Sequence, residues 1–233
     1  MRILISDIVT GVREAGDKLP REVDLAEQFE VSRGVARETI RALEERGLIS
    51  VKHGKGATVN DAEHWNVFDP DVLGVMLESE RSTEILQQYL ECRRILEVEA
   101  AGLAAERASK HDLEQASDAL RRMEEAAVRA PTRASEEFFH EADIAFHQAL
   151  IAATGNHALG GLVEHIHSAL LVARYPLARP QYRAERALPE HRRILAAVAS
   201  GDPDEARAAM SEHLDTIASY LRERDVAPGA TAS

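Results

Sequence analysis

GDKLPREVDLAEQFEVSRGVARETIRALEERGLISVKHGKGATV, residues 16–59, decides the fold of the first part of the chain. Gly16 to Pro20 reads as a turn, and Pro20 suits the first position of a helix over 21–29 with Val23, Ala26 and Phe29 as its apolar side. Ser32 is a good N-cap for a second helix running to about Arg46, whose apolar stripe is Val35, Ala36, Ile40 and Leu43. Gly47 is the expected stop. Leu48, Ile49 and Val51, then His53-Gly54-Lys55-Gly56, then Ala57-Thr58-Val59 read as two short strands about a Gly-rich turn. A short helical stretch over Asp7–Val12 precedes them. Helix, tight turn, capped helix and hairpin is the order of a winged helix-turn-helix, which lays its second helix in the major groove and its wing over the backbone.

Outward from this segment the texture changes. From Pro70 to Arg224 Gly and Pro thin out, and Ala, Leu, Glu and Arg dominate. Helices are expected near 70–78, 83–108, 111–129, 135–153, 157–174, 183–200 and 203–223, with breaks at Arg81-Ser82, Ser109, Pro131, Gly155-Asn156, Pro176–Pro180 and Gly201–Pro203. Short connections between amphipathic helices favour an antiparallel bundle. The expected fold is therefore mainly α: a winged helix-turn-helix over 1–60, a linker over 61–69, an all-helical domain over 70–226 and a flexible tail over 227–233.

The chain has 233 residues, one Cys and a net charge of −12. One Cys forms no intrachain disulfide, and no run approaches the roughly 18 apolar residues of a membrane span, so secreted scaffold and membrane protein are set aside and a cytoplasmic protein is expected. The acidity is unevenly placed. Residues 1–60 hold ten Lys/Arg and ten Asp/Glu, and 61–233 hold eighteen against thirty. A locally basic face on a neutral segment is compatible with DNA even though the whole chain is acidic.

That face is drawn by Ser32, Arg33, Arg37 and Arg41 off the apolar stripe, with Arg21 before it and Lys52, His53 and Lys55 on the wing. Arg33 and Arg37, four apart, share one side and suit bidentate contacts to guanine or a grip on phosphate. Gly34 between them adds no bulk and lets the helix N-terminus approach a phosphate. Spacing alone leaves open that these are only solvated surface charges.

In the helical domain the informative residues are polar groups on apolar stripes. Asp143 and His147 lie on one face with Phe139, Phe146 and Leu150. His191 lies in line with Ile194, Leu195 and Val198, and His213 with Ala206, Met210, Ile217 and Leu221. Burying such groups unpaired costs roughly 1–3 kcal/mol each, and one metal ion would satisfy all four. Hydrogen-bonded core histidines are the competing account.

The 16–59 segment resembles the DNA-binding domain of the GntR superfamily of bacterial transcriptional regulators: the LP turn, LA, the VSR helix start, the RE pair, the L-x-x-x-GL stop and the Gly-rich wing. The resemblance places DNA contacts on Arg33, Arg37, His53 and Gly54. Arg21 stands where a small residue is usual, Val23 where Arg is frequent and Gly34 where Thr is common; the first helix is about one turn short of the pattern. ECRRILEVEAAGLAAERA, DIAFHQALIAATGN and PEHRRILAAVASGDPDEARAAMSEHL, spanning about 85–220, resemble the FCD-type ligand-binding domain of the FadR subfamily. That likeness implies metal ligands at Asp143, His147, His191 and His213. It also implies an effector-facing Arg93, with Glu97 one turn on to orient it; a purely structural Arg93–Glu97 pair is the alternative. The expected function is a homodimeric, operator-binding transcriptional regulator whose domain holds a divalent transition metal (zinc first, nickel or manganese otherwise) and senses a small organic acid. A structural metal site without effector is one rival. A helical metalloenzyme is another, but it needs a general base by the ion, and only Asp143 among the carboxylates is clearly placed there.

Overall fold

The computed structural model describes residues 1–52, 54–129, 132–172 and 186–226, excepting the side chains of Arg133, 169–172 and 220–226. His53, the breaks at Pro131 and Pro176–Pro180, the helix ends placed at 173–174 and 183–185 and the tail 227–233 lie outside the described residues. The chain divides into two compact units, Met1–Ser82 and Thr83–Ser233.

In the first unit, α1 (Arg2–Val9) starts earlier than the Asp7–Val12 expected, because Leu4, Ile5 and Ile8 form its buried side. Helix α2 (Glu22–Gln28) takes Arg21 as its N-cap, so Pro20 stands just outside it. Its buried residues are Leu25 and Ala26, while Val23 faces solvent, which turns the helix from the orientation expected. Helix α3 (Arg33–Glu45) starts as read: the Ser32 hydroxyl accepts from the Val35 N–H at 3.2 Å. Ala36, Ile40 and Leu43 are buried, but Val35, in the first turn, is 52% exposed. Gly47 ends it at φ +69°, and a Cβ there would lie 2.0 Å from the His64 carbonyl oxygen, so only glycine fits. Strands β1 (Ile49–Lys52) and β2 (Gly56–Val59) pair antiparallel, with Lys52 opposite Gly56. Lys18 bridges to Thr58 at the hairpin's edge.

Residues 61–69 are ordered against this unit. Asn60 donates to the Gly47 carbonyl at 2.8 Å, the Asn66 N–H donates to the Arg46 carbonyl at 2.8 Å, and Trp65 packs on the core. Helix α4 (Pro70–Leu77), capped by Asp69, places Val72 and Val75 in the same core as Leu4, Ile5 and Ile8. The boundary between units thus falls after α4, where the sequence reading had α4 opening the helical domain. Its apolar residues found a partner in α1, and periodicity alone does not say which neighbour covers an apolar face.

The second unit is helical: α5 (Ser82–Arg107), α6 (Lys110–Ala127), α7 (Arg133–Ala153), α8 (His157–Val172), α9 (Leu188–Ser200) and α10 (Pro203–Val226). Three of the breaks have a local cause. A Ser109–Asp112 capping box opens α6, Thr132 caps α7 through Ser135, and left-handed Gly201 closes α9 before Pro203. Helix α6 packs on α7 and α9, α9 on α10, and α7 on α8. The bundle core includes Met123, Phe139, Phe146, Leu150, Ile194, Val198 and Met210. Arg107 joins α5 to the end of α7 by donating to the Thr154 carbonyl at 3.0 Å.

Candidate functional site

The four residues selected from the apolar stripes meet. Helix α7 carries Asp143 and His147 one turn apart, α9 carries His191 and α10 carries His213, and one ligand atom from each lies within 4.8 Å of all the others. The histidines are 0–1% exposed. His191 Nε2 stands 3.0 Å from Asp143 Oδ1 and 3.3 Å from His147 Nε2. Donors each about 2.0–2.1 Å from one ion sit roughly 3.0–3.4 Å apart, so these separations fit a shared ion.

The other side of each ring is held by oxygen. His191 Nδ1 donates to the Ala187 carbonyl at 2.6 Å, and His213 Nδ1 donates to Glu190 Oε2 at 2.8 Å. His147 Nδ1 lies 2.7 Å from Glu97 Oε2, off the ideal N–H direction. A carbonyl or carboxylate oxygen calls for a protonated Nδ1, which leaves Nε2 as a lone pair. His213 Nε2 is buried without a hydrogen-bond partner among the described residues. An orphaned lone pair beside an Asp and two other imidazoles is what a metal ligand looks like before its ion is added. The donor set fits a borderline transition metal.

The charges agree. Burial alone would raise the Asp143 carboxyl, but the His191 hydrogen bond and the surrounding imidazoles outweigh it and hold the group well below the usual carboxylate range. Burial pushes His213 well below an ordinary histidine, with His191 and His147 adding to it, and burial also lowers His147. The cluster therefore sets one ionised carboxylate beside three imidazoles, of which His147 and His213 are pushed toward the neutral form by burial.

Arg93 and Glu97 sit beside it as a buried pair on α5, Arg93 Nε donating to Glu97 Oε1 at 2.6 Å. Burial would raise Glu97, yet Arg93 and then His147 and His167 hold it well below its usual value. This is the intrahelical pair that the sequence reading kept as the alternative to an effector clamp. Two partners escaped that reading. His167 Nε2 donates to Glu97 at 2.9 Å, and Glu190 holds His213. The signal for Glu190 was its place beside His191; His167 is not among the residues that the apolar stripes single out.

In the first unit, Arg33 and Arg37 are exposed on α3 and make no ion pair among the described residues, whereas Arg41 pairs with Glu38 at 3.1 Å. Arg21 is exposed but turned onto Asp24 at 3.0 Å within its own cap. Lys52, Gly54 and Lys55 are exposed on the hairpin, and Lys18 Nζ donates to the Lys55 carbonyl at 3.1 Å.

A winged helix with free arginines at the start of its recognition helix, followed by an all-helical unit, defines a DNA-binding transcriptional regulator. Residues 1–59 match "Bacterial regulatory proteins, gntR family" and residues 88–216 match "FCD domain". Curated relatives include the HTH-type transcriptional regulator LutR of Bacillus subtilis, 35% identical over 93% of this chain and 98% of that protein. They also include the galactonate operon transcriptional repressor of Escherichia coli, 34% identical over 95% and 94%. The chain belongs to the GntR family of bacterial regulators, with an FCD second domain. Among solved structures, the Listeria monocytogenes regulator Lar aligns with a TM-score of 0.66 at 21% identity over 95% of this chain and 94% of that one, and shares the fold. No helix among the described residues is long and apolar enough to cross a membrane.

Proposed function

We propose that this regulator binds a divalent transition metal, zinc before nickel or manganese, at Asp143, His147, His191 and His213, and that the ion helps its FCD domain sense a small organic acid. The observation that carries this is the convergence of three imidazoles and one carboxylate, with His191 and His213 held from behind at Nδ1 and His147 Nδ1 facing Glu97. Four protein donors leave positions on a five- or six-coordinate ion for the oxygens of a hydroxy- or keto-acid. The relative named for the galactonate operon supports that class, galactonate being a sugar acid. Arg93, buried next to the cluster, supplies positive potential toward an acid, and Glu97 orients it. Operator DNA is read by Ser32, Arg33 and Arg37 with Lys52, His53, Gly54 and Lys55 on the wing, and Arg21 gripping phosphate once freed from Asp24. The protein works in the cytoplasm as a homodimer. Its organisation is a winged helix-turn-helix followed by a metal-holding helical domain. The acid stabilises one arrangement of the helical domain, and that alters operator affinity through a population shift.

The test is elemental analysis of freshly purified protein, followed by gel shifts with a panel of 2-hydroxy and 2-keto acids. Close to one transition metal per chain, and an acid that changes operator affinity only in metal-loaded protein, are expected. Absence of metal with no uptake of added Zn²⁺ overturns the centre. A loaded protein whose operator affinity no acid alters points to a purely structural ion.

A further inference from the structure

Glu97 lies on α5 yet receives side chains from three helices. Arg93 Nε and Nη2 donate to it at 2.6 and 3.3 Å, His167 Nε2 of α8 donates at 2.9 Å, and His147 Nδ1 of α7 lies at 2.7 Å. At 1% exposure no water competes for that carboxylate. An ionised carboxylate only accepts, so each imidazole facing it must present an N–H. For His147 this fixes the proton on Nδ1 and frees Nε2 toward Asp143 and His191. For His167 it puts a proton on Nε2, and its Nδ1 is buried with no partner among the described residues. A buried histidine with one nitrogen unsatisfied is kept in place by what its other nitrogen holds.

We propose that Glu97 is a positioning residue of the metal centre, fixing the tautomer and ring orientation of His147, and that His167 holds Glu97 to that task. The inference rests on the metal reading above and deepens it: partners one bond behind a ligand set its basicity and aim. Glu97 touches no ion itself. The competing account is that Glu97 only neutralises Arg93, which is indifferent to which histidine nitrogen carries the proton.

The experiment uses the full chain stripped with a chelator and Co²⁺ as the probe, read by competition against a chromophoric chelator and by the visible spectrum of bound cobalt. The parent should take up one Co²⁺ per chain. Glu97→Gln should weaken Co²⁺ about 10–100-fold, because the amide N–H drives the His147 proton to Nε2. The double variant Arg93→Met with Glu97→Gln removes the buried charge pair as a unit, so it stays interpretable if the single variant fails to fold; it should show the same loss. His167→Leu should weaken cobalt about tenfold, and His167→Gln, whose amide nitrogen reaches where Nε2 stood, should recover most of it. Parent-like affinity and spectrum in the double variant overturn the positioning role while leaving the metal site standing. Parent-like affinity in His167→Leu overturns the part given to His167. A parent chain that takes up no Co²⁺ overturns the metal reading itself.

Discussion

Glu30 is the non-glycine residue of the described chain with left-handed backbone, at φ +52° in the turn between α2 and α3. The turn is needed there: the Val31 N–H returns to the Ala26 carbonyl at 3.0 Å, which aims the chain at Ser32. An L side chain at this φ carries a strain of about 1–2 kcal/mol that glycine avoids. Glu30→Gly should raise the unfolding free energy by roughly 0.5–1 kcal/mol in denaturant melts, net of the entropy glycine brings to the unfolded chain, and leave operator affinity unchanged. A drop in stability would mean the Glu30 side chain holds something more than its turn. Three residues further on, the arginines face a different demand. Arg33 and Arg37 are exposed and pair with no carboxylate among the described residues, so Arg33→Ala or Arg37→Ala should cost about 1–3 kcal/mol of operator binding where the arginine reads a base. Lys55→Ala should instead weaken all sequences alike and flatten the salt dependence by about one ion. Gel shifts on operator and scrambled DNA at two salt concentrations separate the cases.

At the scale of elements, the end of α3 is tied to the start of α4. Arg46 Nε donates to Asp69 Oδ1 at 3.1 Å and its Nη2 to Asp71 Oδ2 at 3.0 Å, with the Arg46 and Asp69 side chains 18% and 16% exposed. Asp69 also caps α4, accepting from the Asp71 and Val72 N–H groups. Arg46→Met should keep the aliphatic packing yet destabilise the first unit by about 1–3 kcal/mol, and hydrogen exchange should quicken across α4 before it does across α3. Equal protection in parent and variant would show that apolar packing of Val72 and Val75 holds α4 unaided. This tie also shows where the sequence was legible. Ser32, Gly47, Ser109 and Gly201 could be read as helix ends because capping is local chemistry. The faces of α2 and α3 were read less well: Val23 and Val35 look like core by residue type, but an exposed β-branched residue in a first turn costs little, and Leu25 buries the larger side chain. The Asp143, His147, His191 and His213 cluster was legible because four polar residues broke three apolar stripes. The oxygens behind the rings, Glu97 for His147 and Ala187 for His191, were not, since a backbone carbonyl has no sequence signature and Glu97 lies 50 residues from His147 in the chain.

At the scale of the molecule, the cluster joins residues from Asp143 to His213 across three helices, so an ion there binds only the folded chain and stabilises it by mass action. A chelator should lower Tm, and His191→Ala or His213→Ala should abolish both the ion and the chelator effect, while His111→Ala, outside the cluster, should retain both. Acid should act through the same residues. In metal-free protein His147 and His213 are held below the ordinary 6.5, first by burial and, for His213, by its neighbouring imidazoles as well. The unfolded chain takes up those protons near pH 6.5 and the native chain does not, so the unfolded state holds more protons and stability falls as pH falls below that value. Each histidine contributes up to about 1.4 kcal/mol per pH unit until its own depressed value is reached. Asp143 and Glu97 are likewise lowered, so their contribution is full above the usual carboxylate range and is lost as pH drops through and below it. These four act in one direction, while Glu190 behind His213, its carboxyl raised by burial, opposes them as pH falls through the carboxylate range. A bound ion should steepen the decline, because protons compete for Nε2. Thermal melts from pH 8 to 5, with chelator and with Zn²⁺, should therefore give two curves that are parallel above pH 7, separated by the ion's contribution, and that converge on the acid side as the ion leaves. A chelated protein whose Tm is constant or rising from pH 7 to 5 contradicts buried neutral histidines. Two curves that coincide at every pH contradict the ion.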